Sequence, residues 1–204
     1  MRRRTLRPWL VFGVALLLGV LLAGVAVAQT TSTSFRMVRS QSAVAQGADC
    51  LRGANANVTV RTVGGNQIMN VALRNAAPNT GFTLFVIQQP NAPFGVSWYQ
   101  GDLDTDRNGN GAARVIGIFS EETHAFALES VRAPQVDNQD AARNPAFDPV
   151  HTLHLGLWFA DPQEAAAAGC SGTVTPFDGD HEAGIQALST RTFPALRGPL
   201  GQIR

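Results

Sequence analysis

Apolar and polar residues alternate along much of the chain, and this pattern predicts short β-strands. In residues 57–63, Val58 and Val60 fall on one face while polar residues occupy the other, which is the two-residue period of a half-buried strand. Residues 67–73 alternate in the same way, and the Gly-Gly-Asn connection between the two runs suits a hairpin. Five further runs predict strands: 82–88, 96–105, 113–120, 150–159 and 184–191.

A helix is predicted at one place, residues 161–169. Asp161 can cap its start, Pro162 suits its first turn and Gly169 can end it. Residues 131–149 hold three prolines and little pattern, which indicates a long surface loop. Because strands and helices do not alternate, we predict a mainly β fold. Its predicted form is an antiparallel β-sandwich with one short helix, and a closed β-barrel is the alternative.

The N-terminus has the organisation of a signal peptide. Four arginines precede an uncharged run from Trp9 to Ala28, which closes on the small-x-small pattern Ala-Val-Ala at which signal peptidase cleaves. We therefore expect a signal peptide over residues 1–28, with an uncleaved membrane anchor as the alternative. Residues 29–49 are polar and lack clear periodicity, which predicts a flexible tether ahead of a single β domain at 50–204.

Removal of the leader changes the net charge. Taking the four leader arginines from the sixteen basic residues leaves twelve against fifteen acids, a net charge near −3. A mildly acidic domain has no electrostatic attraction to nucleic acid or to anionic lipid. We expect a secreted or cell-envelope protein that binds neither nucleic acid nor, after signal cleavage, the membrane.

Cys50 and Cys170 are the two cysteines of the chain. A lone pair in an exported protein is most simply a structural disulfide, and the C-x-x-C spacing of a redox pair is not present. The predicted bridge joins the start of the domain to its last third.

The stretch at residues 102–111 reads DLDTDRNGNG. Counted from Asp104, its twelfth position is Val115 where a calcium loop has glutamate, and strands flank it in place of helices. We therefore favour a hairpin turn rich in Asn and Gly, and bound calcium is the alternative. Side-chain oxygens recur at every second position, as in the first half of a calcium loop: Asp102, Asp104, Asp106 and Asn108.

Patterns of catalytic residues are weak in this sequence. His154, His181 and Asp180 could form a metal or hydrolase site if neighbouring strands bring them together. His151 and His154 are three apart on a predicted strand, so they point to opposite faces and cannot easily share a metal. Neither H-E-x-x-H nor G-x-S-x-G occurs. The sequence therefore favours a module that is not an enzyme.

Three aromatic residues could line a sugar-binding face, because flat rings stack on the C–H groups of a pyranose. They are Trp98, Tyr99 and Trp158. Packing within the core or on a sheet face is the other interpretation, and it is the one we favour.

Four segments stand out together, at residues 119–125, 151–170, 177–194 and 198–200. They read FSEETHA, HTLHLGLWFADPQEAAAAGC, FDGDHEAGIQALSTRTFP and GPL. In these segments the chain resembles a group of secreted proteins of actinobacteria and other high-GC soil bacteria. The resemblance implies an exported single domain, and it carries no activity and no catalytic residue with it.

Taken together, the patterns predict an exported, disulfide-closed β domain that is a binding or structural module of the cell envelope or extracellular space. One alternative is a calcium-stabilised module that binds an extracellular glycan or protein. The other is a secreted hydrolase or metal enzyme.

Overall fold

The computed structural model describes residues 31–119, 124–125, 150–175 and 182–203. In these ranges no helix is long and apolar enough to cross a membrane. The elements in chain order are β1 (Ser32–Arg39), α1 (Gln41–Ala45), β2 (Asn55–Val63), β3 (Asn66–Arg74), β4 (Gly81–Ile87), β5 (Ser97–Asp104), β6 (Gly111–Gly117), β7 (His124–Ala125), β8 (Val150–His151), β9 (His154–Phe159), α2 (Pro162–Ala167), β10 (Gln186–Ser189) and a 3-10 turn (Pro199–Gln202).

Eight of the strands form one antiparallel sheet that curves into a nearly closed barrel. Their order is β5–β4–β9–β10–β1–β2–β3–β6, and β7 pairs separately with β8. The edge strands β5 and β6 are consecutive in the chain, and a bridge between Thr105 and Gly111 joins them at the turn. The predicted mainly β, antiparallel class is confirmed. The single curved sheet is closer to the barrel alternative than to two stacked sheets.

Strand β1 joins the two halves of this barrel. It pairs with β2 from Ser32 to Val38 and with β10 at Val38 and Arg39. The flexible tether predicted for residues 29–49 is therefore wrong over its described part. Three alternate inward positions are enough to hold a strand whose other side faces solvent, and the polar composition of the segment concealed this period. The inward residues are Thr33, Phe35 and Met37.

Helix α1 follows β1 and lies in the same segment. Ser40 caps it, because its hydroxyl oxygen accepts a hydrogen bond from the Ala43 amide at 2.9 Å. The same hydroxyl donates to the carbonyl of Gln186, and the Ser40 amide donates to the carbonyl of Ala187 at 2.9 Å. The polar side chain of Ser40 thus fixes α1 to β10.

The strands predicted from alternation are observed. In the hairpin of β2 and β3, Val58 and Val60 point inward opposite Val71 and Met69. The runs at 82–88, 96–105, 113–120 and 184–191 correspond to β4, β5, β6 and β10, and the run at 150–159 is divided between β8 and β9. The predicted helix at 161–169 is α2. The predicted signal peptide at 1–28 and the predicted loop at 131–149 lie outside the described residues.

The inward side chains form one apolar core. Burial of each large apolar side chain contributes roughly 1.5–3 kcal/mol to stability. The C-terminal residues Leu200 and Ile203 are buried in the same core. Its largest fully buried members include Met37, Met69, Leu73, Phe82, Leu84, Leu155, Leu157 and Phe159.

The predicted disulfide between Cys50 and Cys170 is confirmed, with the two Cα atoms 4.7 Å apart. Cys50 precedes β2, in one half of the barrel. Cys170 follows α2, whose residue Glu164 accepts a hydrogen bond from the Gly81 amide of β4 at 2.9 Å. The disulfide therefore joins the half that contains β2 and β3 to the half that contains β4 and β9.

We expect the double variant Cys50→Ala, Cys170→Ala to be less stable than the wild type by about 4 kcal/mol, because the bridge closes a long loop in the unfolded chain. Urea unfolding followed by circular dichroism measures this difference. Wild-type protein unfolded in the presence of a reductant is the matched control and should share the midpoint of the variant. Equal midpoints for oxidised and reduced wild type would contradict the expectation.

Candidate functional site

The tip between β5 and β6 is a hairpin turn closed by Asp106. Its carboxylate oxygen Oδ1 accepts hydrogen bonds from the amides of Asn108 and Asn110, at 2.8 and 2.9 Å. These two bonds lower the pKa of the Asp106 carboxyl below its ordinary value of 3.8, and the bond from the Asn110 amide has the larger effect. The hairpin that the sequence predicted over DLDTDRNGNG is thus observed, with Asp106 as its internal cap.

The turn is also held from outside by the segment between β3 and β4. The Ala76 amide donates to the carbonyl of Gly109 at 3.0 Å. The Thr105 hydroxyl donates to the carbonyl of Ala77 at 2.7 Å and accepts from the Thr80 amide at 2.9 Å. Gly109 has φ +71°, and a Cβ there would lie 2.0 Å from the Ala76 carbonyl oxygen. Only glycine fits this close approach.

Asp102 and Asp104 lie before the turn, on the outer face of β5. They are paired with Thr83 and Gly81 of β4. A side chain at Gly81 would meet Glu164 Oε2 at 3.3 Å and Asp104 Oδ1 at 3.5 Å. Asp104 is thus directed towards helix α2, while Asp106 is bound to its own turn.

Among the described residues, no three His, Cys, Asp or Glu side chains are grouped so that they could hold a metal ion. The calcium hypothesis stays a prediction. The turn uses one oxygen of Asp106, so a bound ion would rely on Asp102 and Asp104, which are exposed.

A β-bulge at Gln100 changes which residues of β5 share a face. Phe85 is paired with Tyr99 and Leu84 with Gly101, so that Gln100 is an extra residue. In a regular strand, residues three apart point to opposite faces. Because of the bulge, Tyr99 and Asp102 lie on the same outer face. Partial burial, followed by the hydrogen bond to Asp102, raises the pKa of the Tyr99 hydroxyl.

Four aromatic rings form a row across the outer face. Phe94 contacts Trp158 with ring centroids 5.0 Å apart, Trp158 contacts Phe85 at 5.4 Å, and Phe85 contacts Tyr99 at 5.8 Å. All three contacts are edge-to-face, the arrangement that the ring quadrupoles favour. Phe85 and Trp158 are buried, whereas Tyr99 at the end of the row is 52% exposed. Phe94, at the other end, is partly buried. The two buried rings therefore support Tyr99, which is the most exposed ring of the row.

The three aromatic residues for which a sugar-binding face was the alternative to packing do not share one face. Trp158 is fully buried, because its ring occupies the space above Gly156, where a Cβ would lie only 2.1 Å from it. Trp98 is 61% exposed, and its pairing with Val86 places it on the face opposite to Tyr99. Only Tyr99 remains on an accessible outer surface with a carboxylate beside it.

His154 is fully buried, and both of its ring nitrogens have partners. Nε2 lies 3.1 Å from the carbonyl of Ala195 and must donate to it, while Nδ1 lies 2.9 Å from the Thr190 hydroxyl and accepts from it. Burial lowers the pKa of His154 below its ordinary 6.5. His181 and Asp180, its predicted partners, lie outside the described residues. His154 holds the C-terminal segment against β9.

No protein-family model and no curated protein matches the chain.

For the turn, we expect Asp106→Ala to lower the melting temperature and Asp106→Asn to change it little, since an amide oxygen can still accept from the two turn amides. Thermal unfolding in EDTA and in calcium checks this.

If calcium binds as a ligand, the wild-type melting temperature will rise in proportion to the logarithm of free calcium. That rise should then disappear in Asp102→Asn, Asp104→Asn. Identical curves in EDTA and calcium would refute the calcium hypothesis.

For His154, we expect stability to fall as the pH falls below about 6.5, because the unfolded chain then binds a proton that the folded chain excludes. The slope is at most about 1.4 kcal/mol per pH unit. Urea midpoints between pH 8 and pH 5 measure it. His154→Gln should remove this part of the pH dependence, and His151→Gln, the matched control, should retain it. Equal slopes in the two variants would contradict the assignment.

Proposed function

We propose that the protein is an exported, disulfide-closed β module that binds an extracellular carbohydrate on the outer face of β5. We define the outer-face site as Tyr99, Asp102 and Asp104. All three side chains are exposed, and the bulge at Gln100 brings the tyrosine onto the same face as the two carboxylates.

The observation that carries the proposal is that Tyr99 and Asp102 lie beside each other on the outer face of β5. An exposed ring offers a flat apolar surface to the C–H groups of a sugar ring. A carboxylate beside it accepts hydrogen bonds from the sugar hydroxyls, and such bonds to a charged acceptor are the stronger kind. Few convergent polar groups beside an aromatic surface are typical of small-molecule sites.

The support behind the site favours binding without rearrangement. Tyr99 contacts the buried ring of Phe85, which in turn contacts the buried ring of Trp158. The turn that follows Asp104 is tied down by Asp106 and Thr105. A preorganised surface loses less conformational entropy when its ligand binds.

Export is supported by the sequence of residues 1–28, by the resemblance to secreted bacterial proteins and by the disulfide, since disulfides persist in oxidising compartments. A mass measurement on protein recovered from the culture medium should give a chain that begins at Gln29. A chain that retains the leader and is recovered from the membrane fraction would instead indicate the membrane anchor.

We expect the protein to sediment with at least one insoluble polysaccharide among bacterial peptidoglycan, chitin and cellulose, and Tyr99→Ala to weaken that binding at least about tenfold. Removal of a central aromatic contact typically costs about 1–2 kcal/mol. Sedimentation at a series of polysaccharide concentrations gives the affinity. Asp102→Asn should also weaken binding, because the acceptor loses its charge.

Ile116→Ala is the matched control, since Ile116 is an exposed apolar residue on another strand, and it should bind as the wild type does. Equal binding of the wild type and all variants would indicate unspecific adsorption and would contradict the outer-face site. Absence of binding to all three polysaccharides would overturn the proposal.

A further inference from the structure

The barrel has one open seam, between β5 and β6. Within the described residues, β5 pairs only with β4 and β6 only with β3, apart from the bridge between Thr105 and Gly111 at the turn. Beyond that bridge, the ladder between β5 and β6 does not continue, so in the described part of the chain the outward main-chain N–H and C=O groups of both strands lack a strand partner. A row of such groups is a template for another strand.

The seam also leaves part of the core incompletely covered. Ala113 and Val115 of β6 pack against the core but are only half-buried. The inward residues of the neighbouring interior strand, Met69 and Val71, are at most 1% exposed. Trp98 shares the inner side of β5 and is 61% exposed. Apolar surface at this seam is therefore open to a ligand that can cover it.

The two edge strands differ in how readily they can pair with a further strand. Strand β5 carries a bulge and the charges of Asp102 and Asp104, which are devices that discourage pairing of an edge. Strand β6 lacks these devices: all seven of its residues pair in unbroken register with β3. It contains no proline, and its one charged residue is Arg114. Ile116, which lies two residues after Arg114, is 59% exposed.

We infer that the free edge of β6 binds an extended peptide segment of a partner protein, which adds to the sheet as a further strand. Main-chain donors and acceptors at strand spacing are complementary to another polypeptide backbone, which excludes a sugar or a lipid as the occupant. Arg114 sets the chemistry of the segment. It should alternate apolar residues, which cover Val115, with acidic residues, which lie beside Arg114.

The test uses the complete mature chain and three capped seven-residue peptides. One alternates valine with glutamate, one alternates valine with lysine, and the third is the glutamate peptide with alternate backbone nitrogens methylated. Hydrogen–deuterium exchange of residues 112–117, read by mass spectrometry, is the measurement. At saturation the glutamate peptide should slow exchange of the edge amides about tenfold. The methylated peptide should give no protection, because it cannot complete the hydrogen-bond ladder.

Arg114→Glu separates peptide pairing from unspecific adsorption. It should weaken binding of the glutamate peptide roughly threefold or more and strengthen binding of the lysine peptide, as expected for one cross-strand charge pair. Tyr99→Ala should leave both affinities unchanged, so the result is independent of the outer-face site.

Three results would overturn the inference. They are protection by the methylated peptide, protection confined to other strands, and protection of β6 without peptide that grows with protein concentration. The last would identify a second copy of the chain as the occupant.

Discussion

The pairing of β1 with strands on both of its sides is the constraint on which the structure depends. On one side lie β2, β3 and β6, and on the other lie β10, β9, β4 and β5. Without β1, each half would expose its apolar face, and neither half alone encloses the core. The disulfide between Cys50 and Cys170 acts on the same division, because it joins the two halves a second time.

The barrel is incompletely closed between its edge strands β5 and β6, which are joined only by the bridge at their turn among the described residues. Both proposed binding surfaces lie on these two strands. The bulge at Gln100 bends the edge strand β5 and brings Tyr99 beside Asp102 on the outer face. Strand β6 is regular in its pairing with β3, and among the described strands its outward edge has no ladder partner beyond the turn. One edge thus carries side chains suited to a sugar, and the other presents backbone suited to a peptide.

Much of the fold could be predicted from alternation alone. Apolar residues recur at every second position in two runs, Val58 and Val60 in the first and Met69, Val71 and Leu73 in the second. The strands that these runs predict are observed. The same period is present at Thr33, Phe35 and Met37, but two of every three residues around them are polar, so that composition argued for a tether. The candidate site was predicted only in part. Tyr99 and Asp102 were each singled out, but a regular strand would have placed them on opposite faces.

The sequence by itself determined the class of fold, the disulfide and the turn, because each depends on local pattern or on the only available partner. Alternation selects strands, two cysteines allow one bridge, and Asp106 caps a turn made of its own neighbours. Tertiary structure alone decided that β1 is central, that Trp158 is buried above Gly156, and that Tyr99 meets Asp102. These depend on strand register, and a shift of one residue reverses which side chains share a face.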